Sequence, residues 1–430
     1  MKKINKIKNK FISRQMGVAK LALKMGKDVW SKRNEDLKNK LSGGIGPHVE
    51  LIANELGVMK GSLMKAGQLL STYAGAFLPP EAQKVLKQLE NQSYYLDWEQ
   101  VKTQVPIDFL DRLEIEEEPI AAASLGQVHL ATYENARYAM KIQYKGVRKA
   151  IKNDVKALKM LMKILNVIPK EVDLREIYEE IEDMLFLETN YIEEAKSINK
   201  FRELLKDYPQ FKVPDILEEF SNEKVLTMEY LDGHSLRELE NLNLSQDDRN
   251  ELGREFMRLM FLELFHFKKV QTDVHMGNYI LLPNNQWGLI DFGASKTPPD
   301  SFLKGYQTLI IACANLDRKL FFQNLYDMDY LSKNKETNED FFWEYARIIA
   351  APFQDGVYDW GRSNVADKVM EMAPRLIKEV AVGNPSRHTI FLDRKIGGVF
   401  FVLQKLEACF DVRSLLKEVL EISGESDLIK

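Results

Sequence analysis

The chain has 430 residues, enough for two or three compact units with a substantial core. Its 60 Lys and Arg against 64 Asp and Glu leave a formal net charge of -4, so no chain-wide basic balance points to nucleic acid as a partner. Cys313 and Cys409 stand far apart in apolar surroundings and read as buried thiols of a reducing compartment, while no run of 18 apolar residues reads as a spanning helix.

Residues 1–45 are strongly basic, with Ile4, Ile7, Phe11, Val18, Leu21, Met25 and Val29 on one helical stripe. They lack the apolar region of a secretion signal, so the expected location is cytoplasmic. Such a helix can lie, through residues 1–40, on an anionic membrane at its inner face. The other reading is a helix that packs on the protein with its lysines in solvent. After the Gly-rich break Leu41–Pro47, residues 46–114 read as a helical extension, with helices near 48–76, 81–90 and 98–105. Lys65-Ala66-Gly67-Gln68 falls in the first of these. Glycine costs about 1 kcal/mol in mid-helix relative to alanine. Either a ligand or backbone approaches closely there, or two helices simply cross.

From about residue 115 the period becomes that of strands. Pro119 to Tyr133 reads as strand, small-residue turn, strand; Asn135 makes the next turn; Tyr138–Tyr144 is a third strand. Lys141 lies inside that third strand. A lysine in an apolar strand is costly unless it is paired or binds an anion. A small-residue loop followed by a strand with a central lysine is the layout of a nucleotide phosphate clamp. Helices follow near 146–168 and 173–205. Glu188 and Glu194 on the second lie about 240° apart around the axis. One can pair with Lys141 while the other points elsewhere; a solvated acidic face is the plainer alternative. Val213–Leu217 and the strand from Lys224 complete a β-rich lobe over 115–232, ending at Asp232-Gly233. Backbone groups of Glu229 and Leu231 are there to bond an adenine edge.

Residues 233–430 read as mostly helical, with helical periods over 254–267, 301–330, 340–352, 365–381 and 394–422. The exception is 271–293. There Asp273 precedes Asn278 by five positions, and two apolar runs joined by Pro283–Gln286 form a hairpin pattern that delivers Asp291 at its end. Two carboxylates and an amide are hard oxygen ligands, suited to Mg²⁺ that also holds phosphate oxygens. The spacing is that of a protein-kinase catalytic loop followed by Asp-Phe-Gly. The alternative of a transition-metal site at Asp273-x-His275 lacks any histidine cluster to support it; His275 and His129 read as hydrogen-bonding residues of loop and strand.

With these residues in order, the chain resembles the UbiB/AarF-type (ADCK-like) atypical kinases. Lys65-Ala66-Gly67-Gln68 is similar to that family's Lys-x-Gly-Gln motif, and Ala121-Ala122-Ala123-Ser124-Leu125-Gly126 to the Ala-rich loop that replaces a glycine-rich loop. Lys141 fits the strand-three lysine, Glu194 its pairing glutamate, Glu188-Thr189-Asn190 the Glu-x-Asp motif, and Asp273, Asn278 and Asp291 the catalytic and metal-binding positions. Four departures stand out. Asn190 replaces an Asp. Val274 and Met276 replace the two prolines of the usual loop. His275 occupies the place where Ser/Thr kinases carry a lysine, and no Ala-Pro-Glu follows Asp-Phe-Gly.

The resemblance implies an α+β, bilobal protein-kinase-like fold, with a small β-rich N-lobe, a helical C-lobe and an N-terminal extension. It implies ATP or ADP with Mg²⁺ as cofactors. Lys141 would hold the α/β-phosphates, Asn278 and Asp291 the metal, and Asp273 would orient the nucleophile. Lys65, Gln68 and Glu188 would cover the site against peptides. The implied activity is ATP hydrolysis or phosphorylation of a small lipid-linked molecule, with quinone-biosynthesis proteins or lipid intermediates as partners. A nucleotide-binding pseudokinase scaffold is the rival from another class; a small-molecule kinase of the choline type shares the loop but lacks the Lys-x-Gly-Gln helix.

Overall fold

The computed structural model describes residues 2–4, 61–74, 94–165, 174–381 and 386–429. They divide into two compact units, Met1–Lys196 with Asp215–Tyr230, and Ser197–Pro214 with Leu231–Lys430.

The first unit is built on an antiparallel sheet. Its strands are β1 (Glu114–Ile115), β2 (Ala121–Ala122), β3 (Gly126–Tyr133), β4 (Ala136–Gln143) and β5 (Val225–Glu229), ordered β1-β3-β4-β5 with β2 also on β3. Glu134 and Asn135, both at positive φ (48° and 65°), make the two-residue turn between β3 and β4. Two consecutive positive φ values match the right-handed twist of a hairpin. Helices α1 (Ser62–Ala74), α2 (Val147–Leu165) and α3 (Arg175–Glu188) pack on one another through Leu63, Ala66, Ile151, Leu158, Ile181 and Leu185, all essentially inaccessible.

Three expectations change in this unit. The helix expected over 173–205 is two, α3 and α4 (Tyr191–Leu204), broken at Thr189-Asn190. Thr189 Oγ1 donates to the Leu185 and Phe186 carbonyls (both 3.0 Å), and Gln143 and Arg148 donate to its own carbonyl (3.0 and 3.2 Å). Asn190 then starts α4, its carbonyl accepting from Glu194 N (3.0 Å) and its amide oxygen from Glu193 N (3.5 Å). Asn and Asp serve equally well at such a start. Of the basic stripe, only Ile4 lies among the described residues, in a strand (Lys2–Ile4) parallel to Tyr94–Leu96. Three residues suffice to pair along a strand edge, whereas a helix needs several closed turns. The rest of that stripe and the helix near 81–90 lie outside the described residues. Val213–Leu217 is not a strand: Pro214 cannot donate to a ladder, and only Ile216 makes a bridge, to Met228.

In the second unit, α5 (Gln246–Phe261) begins with a reciprocal Ser245–Asp248 capping box and runs on as a π-helical segment, Leu262–Phe267, ended by Lys268 in the left-handed region (φ 53°). A wider segment at a functional approach is a recurrent use of π geometry. There follow β6 (Val270–Gln271), the hairpin β7 (Tyr279–Leu281) and β8 (Trp287–Leu289), and β9 (Ser295–Lys296), antiparallel to β6. Asn285 (φ 57°) supplies the left-handed turn residue. Trp287, fully buried, donates to Leu252 O (3.1 Å) and stacks with Phe256 (5.1 Å), which pins the hairpin to α5. Phe211–Lys212 pairs parallel with β8.

Helices α6 (Asp300–Ala314), α7 (Arg318–Asp327), α8 (Glu339–Ala350), α9 (Val365–Glu379), α10 (Arg387–Leu406) and α11 (Val412–Ile422) complete the unit. The period expected over 301–330 breaks at Leu316 (φ 51°), and that over 394–422 at Glu407 (φ 52°), each a left-handed stop. The last helix pair therefore begins seven residues earlier than expected, at Arg387 rather than 394.

Candidate active site

In the first unit, Lys141 sits on β4 opposite Val128 and Leu226. Its ammonium reaches both oxygens of Glu194 at 2.7 and 3.0 Å and lies 5.2 Å from the Tyr191 ring centre. Glu194 is fully buried, so this lysine stabilises a carboxylate that would otherwise be costly there. Because α3 and α4 are separate helices, Glu188 is free of the constraint that a single helix would impose. It pairs instead with Lys65 on α1, at 2.9 Å. Gln68 lies one turn beyond Lys65, half-buried. Ala121 and Ala122 are strand residues paired with Val128 and Gln127, and Ala123 N donates to Gly126 O (3.0 Å) across Ser124 and Leu125. A side chain at Gly126 would lie 2.4 Å from Ile142 O, which explains glycine there. His129 bridges Glu116 O and Gln127, and burial holds its imidazole below the usual range. Glu229 donates its N–H to Asp215 O (2.8 Å). That spends one of the backbone groups expected to face an adenine. Leu231 begins the second unit and packs on Gly288.

In the second unit the catalytic segment is tied by its backbone. Three donors converge on Asp273 O: Gln271 Nε2 (2.9 Å), His275 N (2.9 Å) and Asn278 Nδ2 (3.1 Å). Gln271 also donates to Asp291 O (3.2 Å), so one buried side chain links the two carboxylate-bearing segments. Since Asn278 donates with its nitrogen, its amide oxygen is turned outward from that bond. Asp291 Oδ1 accepts from Gly293 N (3.0 Å), and Phe292 packs on Phe201 at 4.6 Å. Burial and the surrounding carboxylates drive the Tyr279 hydroxyl, beneath this segment, well above its usual range. His275 accepts from Gly277 N (3.1 Å) and lies 3.2 Å from Arg237.

The sequence reading missed four participants: Gln271 as a bridge, and Glu263, Arg394 and Lys395. Arg394, half-buried, forms an ion pair with buried Asp273, and Lys395 pairs with Glu263 at 2.6 Å, both of them buried. Burial outweighs Lys395 and holds Glu263 above the usual carboxylate range. The signal was present: Asp393-Arg394-Lys395 interrupts an apolar helix with three charges in succession. The cavity of about 510 Å³ in this unit, lined among others by Arg318, Trp343, Arg347, Tyr358 and Lys368, includes none of these residues.

Residues 92–325, more than half of the chain, match the ABC1 atypical kinase-like domain. The chain belongs to this family. It is 30% identical to the mitochondrial atypical kinase COQ8B of Rattus norvegicus over 86% of this chain and 71% of that protein. It is 30% identical to COQ8B of Danio rerio over 86% of this chain, spanning 61% of that relative's length. The mitochondrial atypical kinase COQ8 of Saccharomyces cerevisiae is 28% identical over 86% and 76% respectively. The solved structure entitled "The complex structure of Rv3197-erythromycin from Mycobacterium tuberculosis" covers 89% of this chain and 98% of its own, at a TM-score of 0.62 and 24% identity. The α+β, kinase-like fold expected of an ABC1 protein of UbiB type is thus the fold found.

Proposed function

We propose that this ABC1 protein binds Mg-ATP and transfers or hydrolyses its terminal phosphate, in support of isoprenoid-quinone biosynthesis or lipid metabolism at a membrane surface. The observation that carries the reading is the segment 271–291, where Gln271 holds Asp273 and Asp291 together and Asn278 is oriented nitrogen-inward. Asn278 and Asp291 would hold the cation. An amide oxygen and a carboxylate fit Mg²⁺, which takes one or two carboxylates and fills its shell with waters and phosphate oxygens. The lack of three clustered His, Cys, Asp or Glu among the described residues is compatible with that sparse set. When bound, the cation neutralises charge on the phosphate oxygens.

The chain's own groups do the rest in this reading. Lys141, held by Glu194, binds the α/β-phosphates; Ala121, Ala122, Ala123, Ser124 and Gly126 cover them. The Glu229 carbonyl and the Leu231 N–H take the adenine edge. Asp273 accepts the proton of the attacking hydroxyl or water. Lys65, Gln68 and Glu188 restrict the acceptor to something smaller than a peptide. The quinone assignment rests on the UbiB-type resemblance and on relatives named COQ8. Membrane contact is assigned to residues 1–40 on their basic amphipathic sequence; among the described residues no helix is long and apolar enough to cross a membrane.

The test is nucleotide binding and ATPase activity of the purified protein, with and without anionic liposomes, beside Asp291→Asn. Expected are Mg²⁺-dependent binding, turnover raised by liposomes only when residues 1–40 are present, and loss of both in the variant. Binding with no turnover under any condition would favour a scaffold instead.

A further inference from the structure

We propose that Arg394, on α10, is the positioning residue of Asp273: it supplies from the C-terminal helices the cation that Ser/Thr kinases carry in the catalytic loop itself. The inference rests on the reading of Asp273 as the group that orients the nucleophile. The loop's own candidate, His275, is engaged elsewhere, with Gly277 N and Arg237. The ion pair to Asp273 Oδ1 comes instead from Arg394, which is 121 residues away in sequence. Both side chains are mostly buried, 13% and 9% exposed, so solvent screens the pair weakly.

Two further features make this a built contact. First, α10 approaches the loop unusually closely. A Cβ on Gly398 would lie 2.6 Å from Val274 Cβ, so only glycine permits this spacing. Gly398 is four residues after Arg394 and shares its helix face. The same face therefore rests on Val274 and reaches Asp273. Second, the neighbours of Arg394 are also committed. Lys395 pairs with Glu263, whose other oxygen accepts from Gln271 N (3.4 Å), and Asp393 accepts from Tyr306 (2.6 Å). Three consecutive helical residues span about 200°, so α10 is gripped on several sides and cannot rotate to withdraw Arg394.

The division of labour follows. Three donors fix the Asp273 carbonyl, and therefore the backbone, while Arg394 acts on the carboxylate itself, whose terminal torsion is intrinsically broad. Arg394 fixes that torsion. Its loss leaves nucleotide binding in place and misorients the group that aligns the acceptor, which costs rate.

The experiment is steady-state ATPase kinetics of the full chain carrying Arg394→Gln, Arg394→Lys or Gly398→Ala, beside Asp273→Asn, with thermal melting of each. For Arg394→Gln, kcat should fall about 30- to 100-fold while KM for ATP changes less than about threefold. Arg394→Lys keeps the charge but loses the fixed fork and should recover part of that loss; about 50 mM guanidinium should raise the rate of Arg394→Gln. Gly398→Ala should lower kcat alone. An unchanged kcat in Arg394→Gln, or a KM that rises as much as kcat falls, overturns the inference. If Arg394→Gln melts early, Arg394→Lys decides: full activity with an intact melt overturns a fork-specific role, and a partial kcat loss supports it. Full turnover in Asp273→Asn would instead defeat the reading of Asp273 on which this rests.

Discussion

The ion pair Lys395–Glu263 gives the sharpest test of how the second unit is held. The two side chains are 2% and 1% exposed and 2.6 Å apart. Lys395→Met keeps the stem and removes the charge, leaving Glu263 buried without its cation. Breaking a buried pair this way costs about 3–5 kcal/mol. The carboxylate can escape part of that by protonating. Glu263 already sits above its usual range in the folded state, and losing Lys395 raises it further. A raised carboxylate contributes stability that is present below its unfolded value and lost as pH rises through the folded one. Lys395→Met should therefore be hurt more at pH 8 than at pH 5.5. Adding Glu263→Leu removes the second charge and should restore all but about 1–2 kcal/mol, the remainder being the Gln271 N–H left without its acceptor. Urea unfolding followed by fluorescence, with Trp287 buried nearby in the unit, reads all three. A Lys395→Met cost below about 1 kcal/mol, with no pH dependence, would refute the reasoning that the pair is desolvated.

Other expectations follow from single sites. Lys141→Met should abolish nucleotide binding measured by calorimetry and also destabilise the fold, since it removes a cation from buried Glu194; a variant that melts normally and still binds ATP contradicts the phosphate role. Gly126→Ala places a methyl 2.4 Å from Ile142 O, and should cost about 1–3 kcal/mol and weaken nucleotide affinity. Local desolvation around the carboxyl pushes Asp393 up to about 6, only partly offset by its bond from Tyr306, although the residue as a whole is exposed. The parent then loses stability as pH rises from about 4 through 6. Relative to it, Asp393→Asn should gain more at pH 7.5 than at pH 5, by an amount that solvent around this exposed residue reduces; a pH-independent difference in melting would count against this. Ala122→Gly loosens a paired strand residue and should change nucleotide preference and autophosphorylation; unchanged behaviour would remove the stiffness argument for the Ala-rich loop.

What the sequence made legible was local. The hairpin at 279–289 follows from a turn that needs Asn285 at positive φ between two apolar runs. A partner for Lys141 could be demanded because a lysine in mid-strand has to be neutralised. The break at Thr189-Asn190 was not legible, because both residues can ride inside a helix; what stops it is the grip of Gln143 and Arg148 on the Thr189 carbonyl. The strand Phe211–Lys212 is two residues long and exists only because β8 offers an edge. For Arg394 the three successive charges signal that something pairs there, but its partner was beyond reach. A period says which face of α10 is apolar, and nothing in it names Asp273 as what that face meets.

This bears on why the loop can do without its prolines. In the usual family form two prolines would restrict the backbone around the catalytic Asp by fixing φ. Here Val274 and Met276 stand in those places, and restraint has to come from bonds and packing. The Asp273 carbonyl takes three donors, His275 folds back on Gly277 N, and Gly277 is pressed to within 3.0 Å of Arg237, measured from where its Cβ would be. Val274 is the clearest case: its side chain fills the space that Gly398 leaves open on α10. A proline at 274 would have stiffened the loop but removed the branched side chain that meets α10. The loop thus exchanges a covalent restraint for a tertiary one, and its geometry becomes a property of α10 as much as of residues 271–278.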